Sequence, residues 1–495
     1  MSTSVLEPAV VPAEAEAKAD AQPVAFSISR FLLLAALVAA PWAFGAVDPV
    51  GWVSLGIVAA LVLILWAAGS VQHGALKLVW SPLYLPLAAF FILGVTQYGA
   101  RVALDRAETR QALVLLAADL VFFFVTIQLF AAASGETWLR FGLTVLILAG
   151  SLGLFAILQF AAGEQKIYGV FDIGGSSFFG PYVNPNHFAG LMEMLVPVAV
   201  LYIAERRGTP SLVALAWLAV TAAIAVASLL LSGSRGGLLA LAAEIVIAVA
   251  LGMRGRSNVL RRSLGTAVAA TVLAATLLFA WVDPGWVSKR LALVADVGGP
   301  AWTELADFRK SMAVDSLRMW RDHPLLGVGL GNFETAYPRY QSFPSEMWMD
   351  YAHDDYVEAL AETGLVGGIL ILSALALFLR LAFPVREPQF VVRGLEIEVR
   401  DSELALDDAR AARTPPALSA VEGNTESRTP MPGSWIKLGA ALGCCGMLVH
   451  SFLDFNLHIP ANAAWFAVLA GIASLPRQGG DIEGNQSNPA SEYGS

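Results

Sequence analysis

The chain has 495 residues, of which 57% are hydrophobic and only 14% are charged, and its mean hydropathy is +0.64. These values lie outside the range of soluble globular domains, and they predict a protein that crosses a membrane many times. The net charge of −9 says little about nucleic acid, because much of the acid lies in the tails and in one loop, but no basic stripe indicates binding of DNA or RNA. Cys444 and Cys445 are adjacent within an apolar segment, so they offer neither a disulfide staple nor the spacing of a metal site.

The two ends of the chain are polar. Residues 1–29 are rich in Ala, Glu and Pro, and they lack the basic start and the cleavage pattern of a signal peptide. We therefore expect a disordered tail there and a second tail at residues 476–495, both on the cytoplasmic side.

Between the tails, apolar stretches long enough to cross a bilayer recur along the chain. They cover residues 31–47, 51–69, 82–99, 111–133, 138–162, 187–204, 211–231, 236–253, 263–282, 356–383, 435–453 and 459–475. The prediction is an all-α, polytopic fold of about 12 transmembrane helices. Nine fall within residues 30–282, the tenth is residues 356–383, and the last two lie within residues 435–475.

The basic loops indicate the orientation of these helices. The loops rich in Lys and Arg are residues 205–207, 254–262 and 380–437, and an even span count puts all three on one side. By the positive-inside rule this side is cytoplasmic. Arg101, Arg106 and Arg110 fall on the outer side and go against the rule.

The same count places two long segments outside the membrane, residues 163–186 and the large periplasmic loop 283–355 between helices 9 and 10. Residues 384–434 are charged and rich in Pro and Ser, as in "ARTPPALSAVEGNTESRTP". This composition is typical of a poorly ordered cytoplasmic insertion.

The first candidate site residue is Arg235 in "LLLSGSRGGLLAL", at the outer end of the seventh span. An arginine there can simply extend its side chain to the interface. The flanking Gly233, Gly236 and Gly237 allow a bulky group to come close, however, and a charge in the membrane needs an anionic partner. A lipid headgroup or a phosphate would provide that partner.

The large loop contains "SLRMWRDHPLLGVGLGNF", in which Arg318 and Arg321 lie one turn apart on an amphipathic helix that ends before Pro324. The glycine run that follows has no strand before it, so it does not indicate a nucleotide site. His323 fits the end of the helix better than a catalytic role.

At the entry to the tenth span stands "YAHDDYVEALAE". Its acidic residues, Asp354, Asp355, Glu358 and Glu362, suit the positive end of a helix dipole. His353 lies where that helix begins, close to the membrane surface and next to acids that can fix its tautomer. It is therefore a candidate general base, and Asp354 is a candidate substrate contact.

Before the sixth span, "YVNPNHF" brings Asn184, Asn186 and His187 together. Helix capping accounts for part of this pattern. Two amides and an imidazole are also suited to binding sugar hydroxyls or phosphate oxygens.

"LVHSFLDFNLHIP", before the last span, contains a further polar set that favours structural or lining roles. It comprises His450, Asp454, Asn456 and His458, which do not form a convincing set of zinc ligands. The chain has no Walker A, Rossmann, H-E-x-x-H or G-x-S-x-G motif, so the usual signatures of metal and nucleotide chemistry are absent from the sequence.

The ordered set "SGSRGG", "RMWRDHPLLGVGLGNF" and "AHDDYVEALAETGLVG" resembles the O-antigen ligase and polymerase family over residues 165–475. The resemblance implies a bacterial inner-membrane glycosyltransferase with about twelve helices and one large periplasmic loop. It implies a donor glycan on undecaprenyl diphosphate, an acceptor that is lipid A-core, a growing glycan or a protein, and no cofactor or metal. The family's essential arginines match Arg235 and Arg318, and its essential histidine matches His353.

The residues fit such chemistry, because fixed arginines can stabilise a departing diphosphate and a histidine can take the acceptor proton. Direct displacement would invert the anomeric carbon. The competing class is a transporter or flippase for an anionic or lipid-linked glycan, in which the same arginines bind cargo. The polar residues gather at the outer surface rather than at the midplane, which favours the enzyme. Ligase, polymerase and protein O-glycosylating branches share these motifs, so the acceptor stays open.

Overall fold

The structure is a computed structural model. It describes residues 23–72, 75–172, 178–206, 211–254, 265, 268–269, 300–344, 348–384, 395–398 and 432–475. Thirteen α-helices and two short strands are named over these ranges.

The helices, in chain order, are α1 Val24–Trp42, α2 Pro49–Gln72, α3 Tyr84–Gly99, α4 Arg106–Phe130, α5 Gly135–Ala161, α6 Pro185–Glu205, α7 Leu212–Ser232, α8 Arg235–Arg254, α9 Pro300–Asp322, α10 Phe333–Ala336, α11 Asp355–Ala382, α12 Ser434–His450 and α13 Pro460–Ala473. The strands β1 Ala75–Leu78 and β2 Leu395–Glu398 pair antiparallel, with Ala75 opposite Glu398.

Within the described ranges, helices lie at eleven of the twelve predicted spans, and all but residues 265, 268 and 269 of the ninth prediction, 263–282, lie outside those ranges. Seven helices there are long and apolar enough to cross a membrane, and α3, α12 and α13 are shorter apolar helices. The chain is thus a helical membrane protein. The count of twelve and the side of each loop stay predictions.

Two details differ from the sequence prediction. Helix α1 begins at Val24, inside the segment expected to be a tail, because its first turns pack on α2, where the buried Ser29 donates to the carbonyl of Val62 at 3.0 Å. The second difference is the β1–β2 pair: the expected fold was all-α, and β2 lies within the predicted insertion 384–434. Residues 1–22 and 476–495, the predicted tails, lie outside the described residues.

Helix α6 is the centre of the bundle, since nearly every residue from His187 to Ile203 is buried. It packs against α5, α7 and α12. At its C-terminal end, the buried carboxylate of Glu205 accepts the N–H groups of Gly433 (2.6 Å) and Trp435 (2.8 Å). These two donors belong to the start of α12, where N–H groups have no partner within the helix. Glu205 therefore fixes where α12 begins relative to α6.

Helix α11 is interrupted at Gly364, which has φ +65° and ψ −165°. The chain after α9 fills the interruption. Val328 N–H donates to the carbonyl of Ala361 (3.1 Å), and Leu365 N–H donates to the carbonyl of Pro324 (2.9 Å). The break therefore leaves these backbone groups paired, which is how irregular backbone is tolerated inside a membrane protein.

Helix α9 and the segment between α9 and α11 share a small apolar core, which includes Met312, Met319, Phe333 and Tyr337. Helix α9 ends at Asp322, before Pro324, as the sequence predicted. This unit is anchored on the membrane helices through α11, and it carries His353 at its end.

Candidate functional site

His353 lies immediately before α11, and its backbone is in the left-handed region with φ +53°. Asp354 caps the helix, because its carboxylate accepts the N–H groups of Tyr356 (3.0 Å) and Val357 (3.1 Å). An L-residue rarely adopts this φ unless its surroundings hold it there. The sharp turn directs the imidazole of His353 away from the helix axis and toward the loop 451–459, between α12 and α13.

The partner of His353 on that loop is Asp454, with 3.0 Å between Nδ1 of the imidazole and Oδ1 of the carboxylate. Asp454 is fully buried, whereas 27% of the His353 side chain is exposed. Asn186 donates from Nδ2 to the other oxygen, Oδ2, at 2.6 Å. The carboxylate thus orients the histidine and is itself held by an amide.

Burial alone would raise the pKa of Asp454. The hydrogen bond from His353, the neighbouring imidazoles and the positive charge of Arg309 outweigh burial and hold the pKa well below its ordinary value. Asp454 is therefore an anion at neutral pH, able to accept from Nδ1 and to stabilise a positive charge on the ring.

The start of α6 completes this side of the site. Asn184 is the N-cap of α6 and accepts the N–H of Asn186 (2.9 Å). The buried His187 places Nε2 at 4.0 Å from Oδ1 of Asp454 and 3.5 Å from Nδ2 of Asn184. The structure thus brings Asn184, Asn186 and His187 together with His353, although 166 residues of chain separate His187 from His353.

One arginine of α9 reaches the same carboxylate. Nη2 of Arg309 is 3.8 Å from Oδ2 of Asp454, and 26% of its side chain is exposed. Its Nε is buried and has no hydrogen-bond partner among the residues that the structure describes. A buried guanidinium donor without an acceptor is costly in a finished structure, so Arg309 is suited to receive an anionic oxygen.

The two arginines of α9 that the sequence motifs indicated, Arg318 and Arg321, lie nearer the end of the helix. Arg318 pairs with Asp315 at 2.9 Å within the helix, with 57% of its side chain exposed, and Arg321 is exposed in the last turn. Arg309 and Arg318 are about two and a half turns apart, so they project from opposite sides of the helix. The arginine of α9 next to His353's partner is therefore Arg309.

Arg235 is the first residue of α8 and is partly buried. The next residue, Gly236, packs directly on His450, because a Cβ at Gly236 would lie 2.3 Å from Nε2 of that histidine. The carbonyl of His450 accepts the N–H of Asp454 at 3.2 Å. The "SRGG" motif thus places Arg235 beside the turn that carries Asp454, and the close approach explains the glycine.

Phe455 fills the space between the histidines. Its ring lies 4.7 Å from His187 and 4.9 Å from His353, both edge to face, and it stacks on Tyr351 at 4.4 Å. These contacts keep the imidazole of His353 from rotating away from Asp454.

Two residues of this arrangement were missed in the sequence, Arg309 and Asp454. Asp454 was noted as a lining residue, and its spacing from His450 was the only signal. Arg309, in "DFRKSM", carried none. Among the described residues, no group of three His, Cys, Asp or Glu side chains has the arrangement of a metal site.

With Nδ1 of His353 donating to Asp454, Nε2 is left as an acceptor at the solvent side of the ring. The arrangement can remove a proton from a hydroxyl group that reaches Nε2. Arg309 and Arg235 can bind negative charge nearby.

Residues 220–372 match the family model described as O-antigen ligase. The matched segment contains Arg235, Arg309, Arg318 and His353, and Asp454 lies beyond it. No curated protein matches the chain. Residues 220–372 are thus similar to the O-antigen ligase family, as the motifs predicted, and this match implies a ligase or glycosyltransferase type of enzyme in a chain with several apolar helices able to cross a membrane.

Proposed function

We propose that the protein transfers a glycan from undecaprenyl diphosphate to an acceptor hydroxyl at the periplasmic face of the bacterial inner membrane. The observation that carries this proposal is the hydrogen bond between His353 and Asp454, with the guanidinium of Arg309 on the same carboxylate. His353 and Arg309 belong to the segment 220–372 that matches the family model, and Asp454 lies between the last two helices.

In the proposed reaction, Nε2 of His353 takes the proton of the acceptor hydroxyl as its oxygen attacks the anomeric carbon. The new glycosidic bond forms while the bond from that carbon to the phosphate oxygen breaks, and undecaprenyl diphosphate leaves with the electron pair. Asp454 stabilises the imidazolium that results. Attack opposite the leaving group inverts the anomeric configuration.

The leaving group carries the developing negative charge. An arginine about 4 Å from a phosphate gains on the order of 4 kcal/mol at an effective dielectric near 20, before desolvation. Arg309 and Arg235 together would provide that stabilisation. The proposed reaction therefore uses neither a metal nor a nucleotide. The unpartnered Nε of Arg309 supports its assignment to the diphosphate, while Arg318 keeps the role that the resemblance implied until the two are compared.

The remaining predicted contacts have roles around this centre. Asn186 holds Asp454, His187 and Asn184 line the wall beside it, and Asp354 caps α11. Arg321 lies on the exposed side of α9, where it would meet the donor glycan or a lipid headgroup. The acceptor is lipid A-core, a growing glycan or a protein hydroxyl, and membrane lipids surround the helices.

The proposal is tested with purified protein in detergent and a glycan linked to undecaprenyl diphosphate. We expect the parent to release undecaprenyl diphosphate and form a glycosylated acceptor. His353→Ala should abolish transfer and Asp454→Asn should lower it strongly to a small but measurable rate, while donor binding survives in both variants. His323→Ala, at an exposed histidine of the same loop, serves as the matched control. A parent that binds the donor but never cleaves it would instead be a carrier, and transfer within a few-fold of the parent in His353→Ala would remove the general base from the proposal.

A further inference from the structure

A second histidine on the loop 451–459, His458, has both ring nitrogens on carboxylates of α11. Its Nδ1 is 3.0 Å from Oδ1 of Asp355, and its Nε2 is 3.1 Å from Oε1 of Glu358. Both carboxylates are buried. A carboxylate accepts and a neutral imidazole has only one N–H, so a ring that donates on both sides carries a positive charge.

The same two residues of α11, one through its carboxylate and one through its backbone, hold the chain next to His353. Oε2 of Glu358 accepts the N–H of Ala352 at 2.7 Å, and the N–H of Asp355 donates to the carbonyl of Ser451 at 2.9 Å. His458 therefore joins the end of the loop 451–459 to the turn on both sides of His353.

Aromatic contacts connect the two histidines. Tyr351 lies 4.7 Å from the ring of His458 on one side and stacks on Phe455 at 4.4 Å on the other. Phe455 in turn contacts His353 at 4.9 Å. A shift of His458 would therefore move the wall against which His353 rests.

The left-handed backbone of His353 explains why such support is required. A residue other than glycine at this φ costs on the order of 1 kcal/mol or more, and it stays there only when surrounding contacts impose the conformation. Within the described residues, Asp454 and Phe455 hold the ring, and Glu358 holds the preceding peptide.

We propose that His458, bonded to Asp355 and Glu358, is a positioning residue that holds the loop 451–459 on α11 and so sets the contact of Asp454 with His353. The proposal rests on the proposed function, because the contact that it sets is that of the general base.

The charges around His458 agree with this role. Burial alone would lower the pKa of His458, but Glu358 and Asp355 outweigh burial and raise the pKa well above its ordinary value. Glu362 of α11, Tyr351 and His187 of α6 are the other titratable groups that interact with it. The ring is thus charged at neutral pH.

The first test is kinetic and uses His458→Gln, which keeps one donor but no charge. We expect kcat for transfer to fall at least about tenfold while the donor Kd changes less than twofold. His458→Arg, which can donate to both carboxylates, should retain most of the activity. Transfer within twofold of the parent in His458→Gln overturns the proposal.

A double-mutant cycle separates positioning from a general structural effect. If His458 acts through Asp454, His458→Gln should add nothing to the loss caused by Asp454→Asn. Losses that multiply overturn the proposal. If His458→Gln does not yield folded protein, Asp355→Asn replaces it in the cycle. This variant weakens the hydrogen bond between residue 355 and His458, and it is combined with Asp454→Asn in the same way.

A readout without activity distinguishes failure of this proposal from failure of the proposed function. The rate of carbethoxylation of His353 by diethyl pyrocarbonate, followed by mass spectrometry, should rise in His458→Gln as the ring swings toward solvent, and not in His458→Arg. The exposed His323 should react equally in all three proteins. A parent without transfer would remove the proposed function alone, whereas an unchanged rate at His353 would overturn the positioning role.

Discussion

Gly327 and Gly364 lie on the two sides of one break in α11, each against the backbone of the other's segment. A Cβ at Gly327 would be 2.2 Å from the carbonyl carbon of Glu362, and a Cβ at Gly364 would be 2.3 Å from the carbonyl carbon of Leu325. Both residues have positive φ, +67° and +65°. The motifs "GVGLGNF" and "ETGLVG" are therefore two halves of one backbone junction.

Gly364→Ala tests that junction. The alanine would have to adopt a backbone conformation that is nearly restricted to glycine and would also collide with Leu325, so we expect a loss of about 2 kcal/mol or more in stability. Thermal unfolding in detergent measures it. Gly368→Ala is the matched control, because its Cβ would make only an ordinary contact of 3.4 Å with Leu360. Equal melting temperatures for the two variants would contradict the close packing of Gly364 on the backbone of Leu325.

The two arginines of α9 should behave differently. Arg309→Ala should reduce transfer about 100-fold, the usual cost of a lost donor to a developing charge, and Arg309→Lys should rescue poorly because lysine lacks the planar fork. Arg318→Ala is expected to lose less, since its guanidinium pairs with Asp315 at 57% exposure. Lys310→Ala, at an exposed cation of the same helix, is the control. If Arg318→Ala lost more transfer activity than Arg309→Ala, Arg318 rather than Arg309 would be the arginine that binds the diphosphate.

The membrane orientation is testable with single cysteines in a background that lacks the buried Cys444 and Cys445. We expect Asp322→Cys, on the large loop, to react with an impermeant thiol reagent in intact spheroplasts. Ser419→Cys, in the predicted cytoplasmic insertion, should react only after lysis. Labelling in the opposite sense would place the site on the cytoplasmic side and contradict the proposed donor.

The charge on His458 predicts how stability depends on pH. Because its pKa is raised on folding, its contribution is fully present below the ordinary value of 6.5 and is lost as pH rises through the folded pKa. The difference in melting temperature between the parent and His458→Gln should therefore be largest below pH 6.5 and shrink at higher pH. His323→Gln should show no such trend. A difference that grows with pH would mean that the ring is neutral in the folded protein.

Local patterns predicted the helices and part of the site. Asn-Pro-Asn and His-Asp-Asp before an apolar run indicate helix starts. In agreement, Asn184 caps α6 and His353 directly precedes the cap of α11. Their meeting was not predictable, because the starts of α6 and α11 are joined through Asp454 on a third segment, the loop 451–459. Helical spacing alone also could not choose between Arg309 and Arg318, since the buried face of α9 is defined by its contact with α11.

Asp454 was underestimated for a similar reason. Its loop reads as a polar connection between two apolar helices, and the partner, His353, is distant in sequence by 101 residues. The break in α11 was equally hidden. A glycine inside an apolar run is tolerated in many membrane helices, and only the backbone of residues 324–329 shows why Gly364 ends one helix and starts another.

That break also settles a mismatch of length. An unbroken helix over the 28 residues of α11 would be about 42 Å long, well beyond the roughly 30 Å of hydrocarbon that a bilayer offers. Residues 365–382 alone are about 27 Å long, close to that thickness. The part of α11 before the break, Asp355 to Thr363, would then lie above the hydrocarbon, where its carboxylates have polar surroundings. With residues 365–382 as the proposed membrane span, the junction would set His353 at the height of the lipid headgroups, where the proposed lipid diphosphate would lie.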